Sequence, residues 1–457
     1  TSFGAVKVKK KKIPRRDFVF LQANIVVMPK KIQDSNFLYS LVHFYVINFF
    51  VRTSYRRFEV HGAENLPHKG SVIFGINHSN TLMDAMVLLA SSHRKKVFIA
   101  RGDIFKNPIV AKILTFMRIL PIYRMRNGLA AVRNNDDSLD KAVDVVHDGV
   151  ELCIFPEGTH RTKHSLLRFG KGIFHIALNS NHQFGNEGDI YIVPVGIEYG
   201  DYFRYRSTAL VNFGKAINVT DFVKNSTEEN EAVVINQLRE MLSEGISDLF
   251  TYIPDDEDYD AIWEIVKMKN MKRAGGLYKK MLRNRDTVAK VLKYREEKPE
   301  EAKQLFEKVN DFAKARVENK ISVTSTAKKY PSVNILWKLL VVLIGLPYFA
   351  ASAIVNLPVW LTTAIIRKKL KDPAFGNTVS FAVKLVLFPI IFIAGAIVLF
   401  CNLPWWWAAI GSVFLLRSYD FFVDYMELFR RFISDVRWGF MGKLRKQYRA
   451  LHLNKLF

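Results

Sequence analysis

Residues 73–86 read IFGINHSNTLMDAM: an apolar run, then Asn77 and His78, a short polar stretch, and Asp84 at the head of a second apolar run. An imidazole and a carboxylate are the two groups that build a general base. The carboxylate accepts from one ring nitrogen and leaves the other to take a proton from a hydroxyl. In one continuous helix the six steps from His78 to Asp84 rotate about 600°, which puts them on different faces. They meet only if the chain bends between them. SVIFGI reads as a buried strand, NHSN as a turn, and Thr81 as the N-cap of a helix carrying Met83, Met86, Val87 and Ala90. The same residue types also suit a variant capping box, with Thr81 and Asp84 on backbone donors and His78 a turn residue.

Two further stretches bring cations. In ELCIFPEGTHRTKHSLLRFGKGIFHIAL a strand ends at Phe155, Pro156, Glu157, Gly158 and Thr159 turn the chain, and Arg161, Lys163, Arg168 and Lys171 precede the next helix. Basic side chains beside a glycine turn and a helix N-terminus suit a phosphate. In FMRILPIYRMRNG, Arg124 and Arg126 follow an apolar, strand-like stretch. Each stretch taken singly also fits a solvated basic loop.

The elements that must position these residues follow from periodicity. Residues 58–220 alternate apolar strands (FEVHGAEN, SVIFGI, KVFIA, ELCIF, IYIVPVGIEY, ALVNFG) with helical stretches, the signature of an α/β domain. Residues 221–330 read as a helical extension of polar amphipathic segments. Residues 331–416 turn strongly apolar, long enough to enter or span a bilayer as a hairpin or as spans, with Pro347, Pro358 and Pro389 implying kinks. Residues 417–457 read as a basic amphipathic helix that lies on a membrane or packs on the catalytic domain. Residues 28–57 hold a short apolar, aromatic helix at 37–51, expected at the membrane interface or else buried. Residues 1–27 are expected to be a non-native or disordered upstream extension without a role in the fold.

The chain of 457 residues carries 67 Lys+Arg against 43 Asp+Glu, a net charge of +24, so its partners are anionic. A hydrophobic share of 49% with 35 Phe favours lipid over nucleic acid, and no zinc-finger or RNP-like spacing is present. Cys153 and Cys401 imply neither a disulfide framework nor a cysteine metal site, which suits a reducing, cytoplasmic face. No G-x-S-x-G elbow occurs, so no serine nucleophile is indicated.

The ordered set NHSNTLMD, LPIYR, FPEGT and IVPVGI resembles the four blocks of the glycerol-phosphate acyltransferase family, over roughly residues 58–220. The resemblance implies that His78 is the base and Asp84 orients it. It implies that Arg124, Glu157, Gly158, Thr159 and a following basic residue hold a phosphorylated glycerol acceptor, and that Pro194 shapes the acyl-donor side. Arg161 is taken as that basic residue on charge, with Lys171 as a second cation. Two departures stand out: five residues separate His78 from Asp84 where most of the family has four, as in the longer fungal-type glycerol-3-phosphate acyltransferases and some bacterial relatives, and His160 rather than Arg follows EGT. The implied co-substrate is an acyl thioester, acyl-CoA or acyl-ACP, with no metal or other cofactor. Competing readings are another acceptor (dihydroxyacetone phosphate, a lysophospholipid or an amino-acid lipid) and a non-catalytic membrane-remodelling protein.

Overall fold

The computed structural model describes residues 31–34, 36–122, 129–184, 188–270, 275–326 and 331–457, with the side chains of 129–137 left aside. Its centre is an eight-stranded sheet formed by β1 (Tyr55–His61), β2 (Ser71–Ile76), β3 (Lys96–Arg101), β4 (Ile119–Ile122), β5 (Glu151–Ile154), β6 (Ile190–Tyr199), β7 (Ser207–Phe213) and the short β8 (Ile217–Asn218). The order is β1-β7-β6-β2-β5-β3-β4, with β8 added to β6; β6 is antiparallel to β7 and β8 and every other pairing is parallel. β2 lies between β5 and β6 and is buried on both faces from Val72 to Ile76, which is why its sequence is continuously apolar rather than alternating.

Helices cover both faces. α1 (Phe37–Tyr45) runs on through a π-helical turn at Val46–Val51, whose Ile47, Phe50 and Val51 join α2 (Leu82–Ser91) in one apolar layer. Within the 37–51 segment Phe37, Leu38 and Leu41 are exposed while its end is core. α3 (Pro108–Phe116) precedes β4, and α4 (Leu129–His147), α5 (Gly172–Phe184), α6 (Val219–Asn225) and α7 (Glu231–Ser247) lie against the second face. The boundary expected at residue 220 moves. α7 places Val234, Ile235, Leu238, Leu242 and Ile246 along one stripe and buries them on the sheet, as that spacing demands. Gly75 permits this, since a Cβ there would stand 2.9 Å from Leu242.

The helical extension proper is α8 (Tyr259–Asn270), α9 (Leu277–Glu297) and α10 (Pro299–Glu318), followed by the single turn α11 (Val323–Thr326). Three long helices follow: α12 (Pro331–Lys369), α13 (Gly376–Asn402) and α14 (Trp405–Phe440). The segments Ser332–Lys369 and Pro373–Asn402 are long and apolar enough to cross a membrane by length and composition. The boundary expected at Arg417 is not a break, because α14 runs straight through it. Beyond it Trp438, Leu444, Leu451 and Leu453 pack into the core of the helical extension, so the tail is a packing element. The 1–27 segment lies outside the described residues.

Candidate active site

The bend that His78 and Asp84 need is made at the end of β2. Asn77 donates to the Ile197 carbonyl (2.9 Å) and accepts from the Ile197 amide (2.7 Å), which ties the strand end to β6 before the chain turns. Thr81 then takes a left-handed φ of 49°, costly for a β-branched residue, and α2 starts at Leu82. Thr81 does not cap that helix as expected; its hydroxyl lies 2.8 Å from that of Thr378, at the start of α13. Asp84 takes over the free donors instead. Its Oδ2 accepts from the amides of Ser79 (2.9 Å) and Asn80 (2.7 Å) and sits 2.8 Å from His78 Nδ1, and its Oδ1 accepts from the Tyr199 hydroxyl (2.8 Å). Holding the turn and orienting the base thus fall to one carboxylate, wholly buried yet supplied with four donors.

The pairing fixes the histidine tautomer: Nδ1–H points at Asp84 and Nε2 is left for a proton transfer. Burial, with the Asp84 charge second, pushes the Tyr199 pKa well up, so the phenol stays a donor. Tyr199 was missed from sequence; it stands at the far end of β6 with no local signal. The His78 ring stacks on Phe155, centroids 4.3 Å apart.

The FPEGT turn abuts this pair. Gly158 has φ 65°, open to glycine at little cost. Glu157 braces: Oε1 accepts from the His78 amide (2.8 Å) and Oε2 from that of Leu167 (2.9 Å). Burial pushes its pKa above the ordinary glutamate range, against the pull of those two amides. These bonds set the backbone of the base. Arg161 is held in the same way. Its amide donates to the His78 carbonyl (3.0 Å), while its guanidinium pairs with Asp255 and donates to the Ser165 hydroxyl (2.7 Å). The choice of Arg161 for the phosphate meets a competitor, since a nearby carboxylate already satisfies its charge.

Arg124 lies outside the described residues. Lys171 is exposed just ahead of α5. Pro194 faces away from the pair: it packs on α7, where a Cβ at Gly245 would come within 2.9 Å of it, whereas Val193 and Val195 face α2. Side chains alternate along a strand, so Pro194 and its two neighbours meet opposite layers. The amides of His78 and Gly158 donate to Glu157 and to the Phe155 carbonyl (3.0 Å) respectively.

A cavity of about 430 Å³ opens at His78. Leu82, Ala85, Phe98, Ile119, Ile154 and Ile176 are among its apolar lining, and Gly158, Thr159, His160 and Phe375 line it too. That is the shape for an apolar chain with its reactive end at the imidazole. A wider, more open depression of about 1310 Å³ lies between the β7–β8 loop, α7 and α9, and it includes Pro194 but not the His78–Asp84 pair. Among the described residues no cluster of three metal-ligating side chains forms.

Residues 57–198 match the model of the Acyltransferase family. Among similar proteins is the chloroplastic 1-acyl-sn-glycerol-3-phosphate acyltransferase of Brassica napus, 29% identical over 119 residues, 26% of this chain and 33% of that protein. That of Arabidopsis thaliana is 24% identical over 192 residues, 42% and 49% of the two chains. The 1-acyl-sn-glycerol-3-phosphate acyltransferase of Borreliella burgdorferi is 29% identical over 121 residues, 26% and 46%. The chain thus spans a third to a half of the length of these relatives. The solved 1-acyl-sn-glycerophosphate acyltransferase of Thermotoga maritima, 21% identical, overlaps 46% of this chain and 80% of that one with a TM-score of 0.33.

Proposed function

We propose that this chain, whose residues 57–198 match the Acyltransferase family, moves an acyl group from acyl-CoA or acyl-ACP to the hydroxyl of a phosphorylated glycerol. The acceptor favoured is 1-acylglycerol 3-phosphate, the substrate class in the names of the relatives, over glycerol 3-phosphate. The observation that carries the reading is the 2.8 Å His78–Asp84 contact at the mouth of an apolar cavity.

His78 Nε2 takes the hydroxyl proton as the acceptor oxygen attacks the thioester carbonyl. The tetrahedral centre collapses, the C–S bond breaks, and the thiolate leaves with that proton returned to it. Asp84 stabilises the transient imidazolium. Seating the acyl chain in the cavity and the phosphate beside the FPEGT turn holds both reactants at attack distance, a contribution of roughly 7–11 kcal/mol. Thr159, Lys171 and Arg124 are the proposed phosphate partners. An acyl-cysteine intermediate does not fit, because Cys153 is buried and burial pushes its thiol pKa up, away from the thiolate. The apolar helices hold the domain at a membrane, proposed as its cytoplasmic face, so that a water-insoluble product passes sideways into the leaflet.

The test is an assay of the full chain in phospholipid vesicles, with labelled acyl-CoA and acyl-ACP against 1-acylglycerol 3-phosphate, glycerol 3-phosphate, dihydroxyacetone phosphate and lysophosphatidylcholine. Preferred transfer to 1-acylglycerol 3-phosphate is expected. Transfer to none of the phosphorylated glycerols would overturn the reading.

A further inference from the structure

The turn between the two long apolar helices reaches the catalytic cavity. Between Lys369 and Gly376 the chain reverses, and Asp372 caps the turn by accepting from the Ala374 amide with Oδ1 (2.8 Å). Its Oδ2 lies 2.8 Å from Nε2 of His160, a residue 212 positions earlier in the chain. His160 in turn stands edge-on to His78, centroids 5.8 Å apart, and edge-on to Phe375 at 5.4 Å. His160 and Phe375 both line the cavity that contains His78. A few residues on, Thr378 meets the hydroxyl of Thr81, inside the bend that joins His78 to Asp84, and Phe381 is buried in the apolar layer of α2. The turn touches the catalytic loop on both sides of the base.

We propose that this turn completes the acceptor side of the active site, with Asp372 a positioning residue that sets the His160 ring beside His78 so that His160 holds the acceptor headgroup. A carboxylate accepting from Nε2–H fixes the tautomer and plane of an imidazole and leaves Nδ1 for a second partner. The phosphorylated glycerol must sit beside His78 for its hydroxyl to reach the base, and the His160 ring stands 5.8 Å from the His78 ring in the same cavity. The apolar helices therefore do more than anchor: the segment between them supplies part of the reaction's polar half, and a catalytic domain cut away from them lacks it. This inference rests on the transfer reaction proposed above.

The experiment uses the full chain in vesicles, with Asp372→Asn and Asp372→Glu compared with the unmodified protein. Asp372→Asn is expected to raise KM for 1-acylglycerol 3-phosphate about tenfold, with KM for the acyl thioester and kcat within twofold, and Asp372→Glu to restore most of it. His160→Asn combined with Asp372→Asn is expected to be no worse than the worse single change, because the carboxylate acts through the ring. An unchanged acceptor KM in Asp372→Asn, an equal rise for both substrates, or additive losses in the double variant would overturn the proposal. Independently of any turnover, the ring-nitrogen NMR signal of His160 in ¹⁵N-histidine-labelled protein is expected to shift in Asp372→Asn and return in Asp372→Glu. If that signal behaves so while no phosphorylated glycerol is acylated, the pairing stands and the reaction assigned to the site falls; an unmoved signal removes the pairing.

Discussion

α2 and α13 are both strongly apolar helices, and they sit in opposite surroundings. Eight of the ten residues of α2 are buried by the sheet and its neighbours. In α13, Ile390, Ile393 and Ile397 are 61, 58 and 58% exposed on the protein surface. Composition does not separate them; what faces them does. Each also carries one buried charge, and here they agree. Asp84 in α2 is given four donors, and Lys384 in α13 bonds Asp420 (2.8 Å) and the Tyr205 hydroxyl (2.6 Å). The comparison teaches that the protein supplies its own partners for buried charge in both regions, but leaves the apolar flank of the second region to another medium. A lipid bilayer is the medium that suits it.

The comparison breaks most sharply at the charges. His78→Ala is expected to lower kcat by about 10²–10⁴-fold, the range of a lost general base, while the thermal midpoint and vesicle binding stay unchanged. Full turnover in this variant would remove the base from the mechanism. Lys384→Ala leaves Asp420 buried without its main cation and is expected to cost about 3–5 kcal/mol in denaturant unfolding, with most of that regained in Lys384→Met combined with Asp420→Leu. An unchanged midpoint in the single variant would mean that water or lipid reaches the pair.

The apolar flank is tested next. Unmodified protein is expected to stay with vesicles through high salt and carbonate, since insertion does not depend on charge. Ile393→Asp with Ile397→Asp adds about 2.5–3.5 kcal/mol per site to insertion and is expected to release a share of the protein into the wash. If the unmodified protein washes off with salt alone, α13 is not a membrane segment. Removing the whole region is a poorer test than its sequence implies, because a cut at residue 330 also strips Trp438, Leu444 and Leu451 from the core of the helical extension.

The smallest effect concerns the loop beside the site. His164 is buried against Trp263, ring centroids 4.0 Å apart, and burial pushes its pKa down to about 3. Unfolded chains bind that proton near the ordinary value of about 6.5, so the stability contributed is whole above that pH and falls as pH drops toward 3. The stability difference between the unmodified protein and His164→Phe is expected to shrink by up to about 1.4 kcal/mol per pH unit below 6.5, read from urea unfolding at pH 7.5, 6.5 and 5.5. A difference that does not change with pH would show that the ring takes up its proton equally in the folded and unfolded states.

Much of the site was legible because its parts are local. His78 and Asp84 flank one turn, FPEGT is a turn by composition, and the strands announce themselves as apolar runs. Phase and pairing were not legible in the same way. Residue types do not show that Pro194 packs on α7, nor that Arg161 pairs with Asp255, 94 residues on.

The order of chemical groups along the chain, the α/β alternation and the long apolar helices were determined by the sequence alone, since each follows from residue type at short spacing. Only the tertiary structure decided that Tyr199 holds Asp84, that Glu157 braces the amide of His78, and that Asp372 reaches His160. Those contacts join residues 79 to 212 positions apart, and they depend on strand order and on where a turn docks. A hydrogen bond of that kind leaves no periodic or compositional trace, because either partner taken alone is an ordinary polar residue in a loop or at a strand end.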